Sequence, residues 1–563
     1  MKGCHVEFFF AANPFTLRLA TKILLRAHYT VSQVMPHYVG CQGAASSLNY
    51  AEFPKKRYQS FVARVLPARI TMAHIAQEEC GMSSLISRSA VLTVSRLSNF
   101  GIMVLTPLLL VRILAIEDYG RYQEFMVYAM LFVAICGFGV DASLSYFLPR
   151  YPDKEREIVT QNSILVLAWS SLCLTALLIS RPFFLEVATY DFLTPLVTYV
   201  FCFVNLNWLE YYWVAKRRAD LVLYYSAARL IVRVVALLVA AYITGDVETI
   251  LWTLVAVEAL RLFLVAIWAT RAKLLQRSVD RQLLREVVTF ASPIGLSGLL
   301  QQGNKNIGKL FIGSMLGAAA LAYYSVASYL LPAVRVVIGS VADVVFPELV
   351  RTKGNPAAAL HLWQRQTVVF CALLVPAYAV LTYYAELFIT TLFTDAYSPA
   401  IPVFQVYMLW LLRRCLNTDA LLRTSGKTGF MLTGNGISVA INLALMVALY
   451  YWLGLIGPAI AFIISSIVLE VYYVILATLR LNLRITELLD WRNILRIVAA
   501  AIVALPILIL STHSPGPEII RAILASVSYI GLCWLIAYRL GVDDVGRVAR
   551  FVVALSRFRN PVS

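Results

Sequence analysis

Between Val91 and Tyr538 the chain returns repeatedly to runs of about twenty almost uninterrupted apolar residues. At ~1.5 Å of rise per residue, a helix of that length crosses the hydrocarbon core of a bilayer. A backbone in that core finds no water to bond, so each crossing segment must satisfy its own amides, as a helix does. The chain reads as an all-α, polytopic membrane protein. After residue 90 no stretch is long and polar enough for a soluble catalytic domain, so function is sought in charges within the membrane and in the sidedness of loops.

Composition agrees: 60% of the residues are hydrophobic and 14% charged, against about 25% charged in a soluble domain. The net charge of +17 would suggest nucleic acid in a soluble protein. Here Lys and Arg gather in short loops between apolar segments, where membrane topology accounts for them, and no nucleic-acid partner is expected. The nine Cys are scattered, and Cys136, Cys173, Cys202, Cys371 and Cys533 sit inside apolar segments, with no C-x-x-C pair and no His at metal-ligand spacing. They read as small packing residues, and neither metal nor cofactor is expected.

Apolar runs bounded by Gly, Pro and charge clusters predict helices near 89–114, 122–148, 158–180, 191–214, 221–243, 249–270, 288–315, 318–346, 366–388, 398–420, 429–452, 456–478, 494–511 and 518–538, about fourteen spans. Residues 1–85 differ, with His5, His28, His37, His74 and the basic Lys55-Lys56-Arg57 among only short apolar runs. They are expected to be a disordered extension or to precede a true start at Met82. Residues 86–285 then make an N-terminal bundle of helices 1–6, 286–480 a C-terminal bundle of helices 7–12, 481–540 two extra helices, and 541–563 a basic cytoplasmic tail. From Val545 to Phe558 that tail has the amphipathic pattern of a helix lying on the inner leaflet.

Alternate loops carry the cations: Arg150/Lys154/Arg156, Lys216/Arg217/Arg218, Arg271/Lys273/Arg277, Arg351/Lys353, Arg423/Lys427 and Arg480/Arg484. The intervening loops are short and neutral or acidic, as at Glu117-Asp118, Asp246-Val247-Glu248 and Asp395. The positive-inside rule then places both termini in the cytoplasm, and the steady parity supports an even number of spans. A weak repeat at an offset of roughly two hundred residues aligns Leu114–Tyr122 with Leu316–Tyr324, and Phe147-Leu148-Pro149 with Val345-Phe346-Pro347. Such a repeat makes two six-helix bundles related by a pseudo-two-fold axis along the membrane normal.

Charges inside the spans stand out, because an Arg, Lys or Asp at mid-helix costs ~2.5–3.5 kcal/mol on the insertion scale. Gln301, Gln302, Lys305 and Lys309 form one polar stripe on the seventh predicted helix, flanked by Asn304 and Asn306. Two ammonium groups facing lipid would sum to about 5–7 kcal/mol against insertion, so this helix is expected to face a wet interior. Arg96 in the first helix, Asp141 in the second, and Arg335 and Asp343 in the eighth are further cavity candidates. Glu258 and Arg261, at i and i+3, are expected to pair, whereas Arg229, Arg413 and Arg414 have the reach to snorkel to headgroups. Gly303–Leu310 follows the G-x-x-x-x-G-K pattern of a phosphate loop, but Leu310 replaces the Ser/Thr that would hold magnesium and no strand precedes it. With no other catalytic motif present, the chain is not expected to be an enzyme.

The segment Val111-Arg112-Ile113-Leu114-Ala115-Ile116-Glu117-Asp118-Tyr119-Gly120-Arg121-Tyr122, followed by a glycine-bearing helix ending Tyr146-Phe147-Leu148-Pro149-Arg150, resembles the start of bacterial polysaccharide transporters, the O-antigen or lipid-linked oligosaccharide flippases. These are relatives of the multidrug and toxin exporters within one exporter superfamily. The resemblance runs from about Met82 to Arg539 in helix number, loop parity and repeat. It implies an inner-membrane flippase for an undecaprenyl-pyrophosphate-linked oligosaccharide, with membrane lipids, a polysaccharide polymerase and a chain-length regulator as partners. Lys305, Lys309, Arg96 and Arg335 would receive the pyrophosphate or acidic sugars, and Asp141, Asp343, Asn304 and Gln301 would line the cavity or serve coupling. A multidrug exporter of the same fold should need an acidic cavity for cationic drugs. A membrane glycosyl polymerase or ligase would need a large periplasmic loop, and a scaffold without transport is a further alternative.

Overall fold

The computed structural model describes residues 105–180, 192–274, 280–330, 356–423, 429–511 and 515–546, less 217 and 544, together with positions 276, 334, 338 and 349. The expected N-terminal extension, most of the first predicted helix, about half of the eighth and the basic tail beyond 546 lie outside the described residues.

Every regular element among the described residues is helical. Residues 105–113 form α1. Then come α2 (Ile116–Gly137), α3 (Leu144–Arg150), α4 (Glu155–Ser180), α5 (Leu193–Val204), α6 (Trp208–Ala215), α7 (Ala219–Thr244) and α8 (Val247–Arg271). The long α9 (Arg281–Ala327) follows, and after it α10 (Pro356–Tyr383), α11 (Ala385–Phe393), α12 (Ile401–Arg414) and α13 (Thr418–Arg423). The remainder are α14 (Gly429–Leu453), α15 (Gly457–Leu481), α16 (Ile485–Leu488), α17 (Trp491–Ala504), α18 (Pro506–Ser511) and α19 (Glu518–Arg539).

Local chemistry sets the ends. Asp246 caps α8 by accepting the Thr249 N–H at 2.9 Å, and Asp280 caps α9 by accepting the Gln282 N–H at 2.9 Å. Lys154 also reaches Asp280 at 3.1 Å, and that hydrogen bond, with the cap, holds the Asp280 carboxyl below its ordinary range. Helix α7 stops at Gly245 and α15 at Asn482, both in the left-handed region.

Several predicted helices are broken rather than straight. The second bends by 57° between Ile116–Gly137 and Asp141–Arg150, because Phe138 and Gly139 take φ of 40° and 71°. The fourth is interrupted between Val204 and Trp208, the ninth at Tyr384, the tenth between Arg414 and Thr418, and the thirteenth at Leu505, just before Pro506, which has no N–H to continue the ladder.

Eight helices among the described residues are long and apolar enough to cross a bilayer, or nine if the bent pair is one span. Two of these, Arg281–Ala327 and Thr433–Leu481, run to 47 and 49 residues, or roughly 70 Å, over twice the hydrocarbon thickness. Each therefore holds two crossing lengths. In the first, Gly317 (φ 81°, ψ −176°) breaks the helix, and the arm from Ala318 returns, so that a Cβ on Gly308 would lie 2.6 Å from the Tyr324 hydroxyl. In the second, Gly457 meets the Leu449 carbonyl, where a Cβ would come within 2.4 Å.

The most extensive packing joins α9 to α2, and the two run antiparallel. Glycines admit the approach at both ends: a Cβ on Gly120 would sit 1.9 Å from the Ala318 carbonyl oxygen, and one on Gly295 would sit 2.3 Å from that of Phe138. Backbone atoms cannot swing aside as a flexible side chain can. Gly120→Val is therefore expected to lower the thermal midpoint of the purified protein, with at least the ~1–3 kcal/mol of overpacking behind it. Gly298→Ala, which meets nothing within 4 Å, should leave the midpoint in place or raise it. Equal midpoints for wild type and Gly120→Val would contradict this contact.

Candidate functional site

Helix α9 carries the polar stripe. Lys305 is exposed, Gln302, Asn304, Asn306 and Lys309 are half-buried, and the side chain of Gln301 lies outside the described set. Asn306 donates to the Gln302 carbonyl at 3.2 Å, while the buried Asn304 Oδ1 has no hydrogen-bond partner among the described residues. The two glycine contacts orient the stripe. Gly295 faces α2 and Gly308 faces the return arm at Tyr324. At 3.6 residues per turn these directions are about 140° apart, and Lys305 and Lys309 fall in the arc between them. The cations thus occupy the sector bounded by the N-terminal half on one side and the rest of their own hairpin on the other.

Asp141 opens the 3-10 turn that follows the bend in the second span. It is 5% exposed, and its Oδ1 is buried without a hydrogen-bond partner among the described residues. Its turn packs on α9 near the level of Gly295, roughly 15 Å along the helix from Lys305. Asp141 and the two lysines therefore share a helix neighbour but form no single constellation. Arg96, Arg335 and Asp343 lie outside the described residues.

At the end carrying the acidic loops, the halves meet closely. Tyr119 of α2 and Tyr323 of α9 both pack on Tyr397, with centroids 6.2 and 5.9 Å away. Arg112 donates to the Thr391 carbonyl at 2.8 Å. With the Gly120–Ala318 contact, these bonds join the two halves at that end.

The buried charges are largely paired. Arg261 bonds Glu258 as its spacing predicted. Arg229 and Arg413, which have the reach to snorkel, pair with Glu210 at 2.7 Å and Glu470 at 2.9 Å. Sequence reading missed both acids as partners. A glutamate inside an apolar run was the available signal, but its partner lies on another helix.

The family model for polysaccharide biosynthesis proteins matches residues 85–353. That stretch is a little under half of the chain, and over it the sequence is similar to that family. Among solved structures, the fold is similar to that of a lipid II flippase, MurJ, in an inward closed conformation, at 16% identity and a TM-score of 0.60, over 81% of this chain and 99% of that one. Weaker likenesses include an exporter-superfamily transporter from Pyrococcus furiosus (13% identity, TM-score 0.48, 70% and 95% coverage). Another is the Vibrio cholerae MATE transporter VcmN (12% identity, TM-score 0.47, 71% and 96% coverage). Comparison with curated proteins finds no match. The helical, multi-span fold is the one expected from the sequence, and it is similar to that of the flippase structure.

Proposed function

We propose that this protein is an inner-membrane flippase that moves an undecaprenyl-pyrophosphate-linked oligosaccharide from the cytoplasmic to the periplasmic leaflet. The observation that carries the reading is the Lys305/Lys309 stripe on α9, the helix packed along α2 within the stretch similar to polysaccharide biosynthesis proteins. Lysine is a flexible point charge suited to phosphate, and a neutral or cationic drug would not call for two of them. The structure of similar fold is named for flipping lipid II, a lipid-linked cargo.

In this reading two bundles, 86–285 and 286–480, rock about a cavity that also receives Arg96 and Arg335. The contacts at the acidic-loop end close one side, while opening there admits release. Asp141, Asp343, Asn304 and Gln301 line the passage or serve coupling. Both termini are cytoplasmic, and a polymerase and chain-length regulator receive the product. Deleting the gene should trap lipid-linked oligosaccharide in the cytoplasmic leaflet, measured by its protection from a periplasmic glycosidase. An unchanged leaflet distribution would contradict the assignment.

A further inference from the structure

The N-terminal half holds a second group of charges, on α6, α7 and α8. Arg229 pairs with Glu210, and Arg261 with Glu258. Arg233, one turn beyond Arg229, makes no ion pair among the described residues, and its Nη2 lies 3.5 Å from Met126 Sδ. All three guanidiniums sit on one aromatic platform from α5. The Tyr199 and Phe203 rings stack at 5.6 Å, Arg233 lies 5.8 Å from the Tyr199 centroid, and Arg229 and Arg261 lie 6.0 and 5.7 Å from that of Phe203. Arg261 is also 5.6 Å from the Tyr225 centroid.

Arginine is not deprotonated in proteins, so three fixed positive charges face at most two negative ones within an apolar layer. The hydrogen-bond inventory has the same sign. Among the described residues, Arg261 Nε and Nη2, donors only, are buried with no hydrogen-bond partner, as are Glu258 Oε1, an acceptor, and the hydroxyls of Tyr199 and Tyr225, which can donate or accept. Buried donors without acceptors are the unstable side of a polar network. Glu258 and Arg261 are 1% and 9% exposed, too deep for a lipid headgroup.

We propose that this cluster binds one small inorganic anion of the chloride class, accepting from Arg233, Arg261, Tyr199 and Tyr225. The anion cancels the surplus charge and ties α5, α7 and α8 together. The site is separate from the α9 stripe and does not depend on what cargo is moved.

The test is the melting midpoint of the purified full chain, titrated with sodium chloride against sodium gluconate at constant ionic strength. Chloride should raise the midpoint saturably. Arg233→Gln, and the milder Tyr225→Phe, which removes only a hydroxyl, should raise the half-saturating concentration by about tenfold or more. Bromide-soaked crystals should show an anomalous peak within hydrogen-bond reach of Arg233 or Arg261. Superimposable chloride and gluconate curves, a chloride response unchanged in Tyr225→Phe, or water alone at that position would overturn the proposal.

Discussion

Replacing Lys305 and Lys309 together with glutamine is expected to reduce export of lipid-linked oligosaccharide to background while full-length protein stays at wild-type abundance in the membrane. The two side chains are a turn apart on α9, in the arc between the Gly295 and Gly308 contacts. Glutamine is polar but shorter and removes the charge with its charge-assisted bonds, which lowers the insertion cost of about 2.5–3.5 kcal/mol per lysine. A loss of transport therefore reads on cargo binding rather than on assembly. Each hydrogen bond to a charged group contributes about 1.5–3 kcal/mol, so losing both should weaken pyrophosphate binding by about a hundredfold or more. The double Lys→Arg variant keeps the charge and should retain part of the activity. Normal surface polysaccharide in the double glutamine variant would remove the proposed role of the stripe.

Glu470→Ala is expected to be the most destabilising single change in the C-terminal half. Arg413 on α12 approaches Glu470 on α15 at 2.9 Å, with side chains 10% and 5% exposed. Arg413 Nε also donates to the Ser466 carbonyl at 3.2 Å, and Glu470 Oε1 accepts the Thr418 N–H at 3.1 Å where α13 begins. Three helices thus share one buried ion pair. Truncating the acid leaves a buried guanidinium uncompensated, at a cost of about 3–5 kcal/mol. Thermal melting of the purified protein should show the loss. The double variant Arg413→Met/Glu470→Leu should recover most of it, because neither charge is then buried alone. A Glu470→Ala protein that melts with the wild type would contradict the pairing.

Much of this architecture was legible in the chain because a membrane imposes a length on apolar runs. The limits of α7, α8, α14, α15 and α19 fall within a few residues of those read from composition and punctuation. The breaks were less legible. Nothing local announces that Phe138 will adopt positive φ, and the Asn205–Asn207 interruption needs tertiary support. Pairing followed the same division. Glu258 and Arg261 are neighbours on one helix face, so spacing alone finds them, whereas Arg413 and Glu470 meet only when α12 packs on α15. The α9 stripe could be read from its period, but its direction comes from the glycine contacts on either side of it. The aligned segments Leu114–Tyr122 and Leu316–Tyr324 prove to be spatial neighbours, with Gly120 on Ala318 and Tyr119 and Tyr323 both on Tyr397.

Flipping in reconstituted vesicles tests the central claim most directly. Undecaprenyl-pyrophosphate-linked oligosaccharide is placed in the inner leaflet, and its arrival outside is followed by cleavage with an added glycosidase. Wild-type protein should expose the cargo well above the rate in empty vesicles, and the Lys305→Gln/Lys309→Gln protein should not. Equal rates for variant and wild type, or a wild-type rate no higher than that of empty vesicles, would contradict a cationic passage for this cargo.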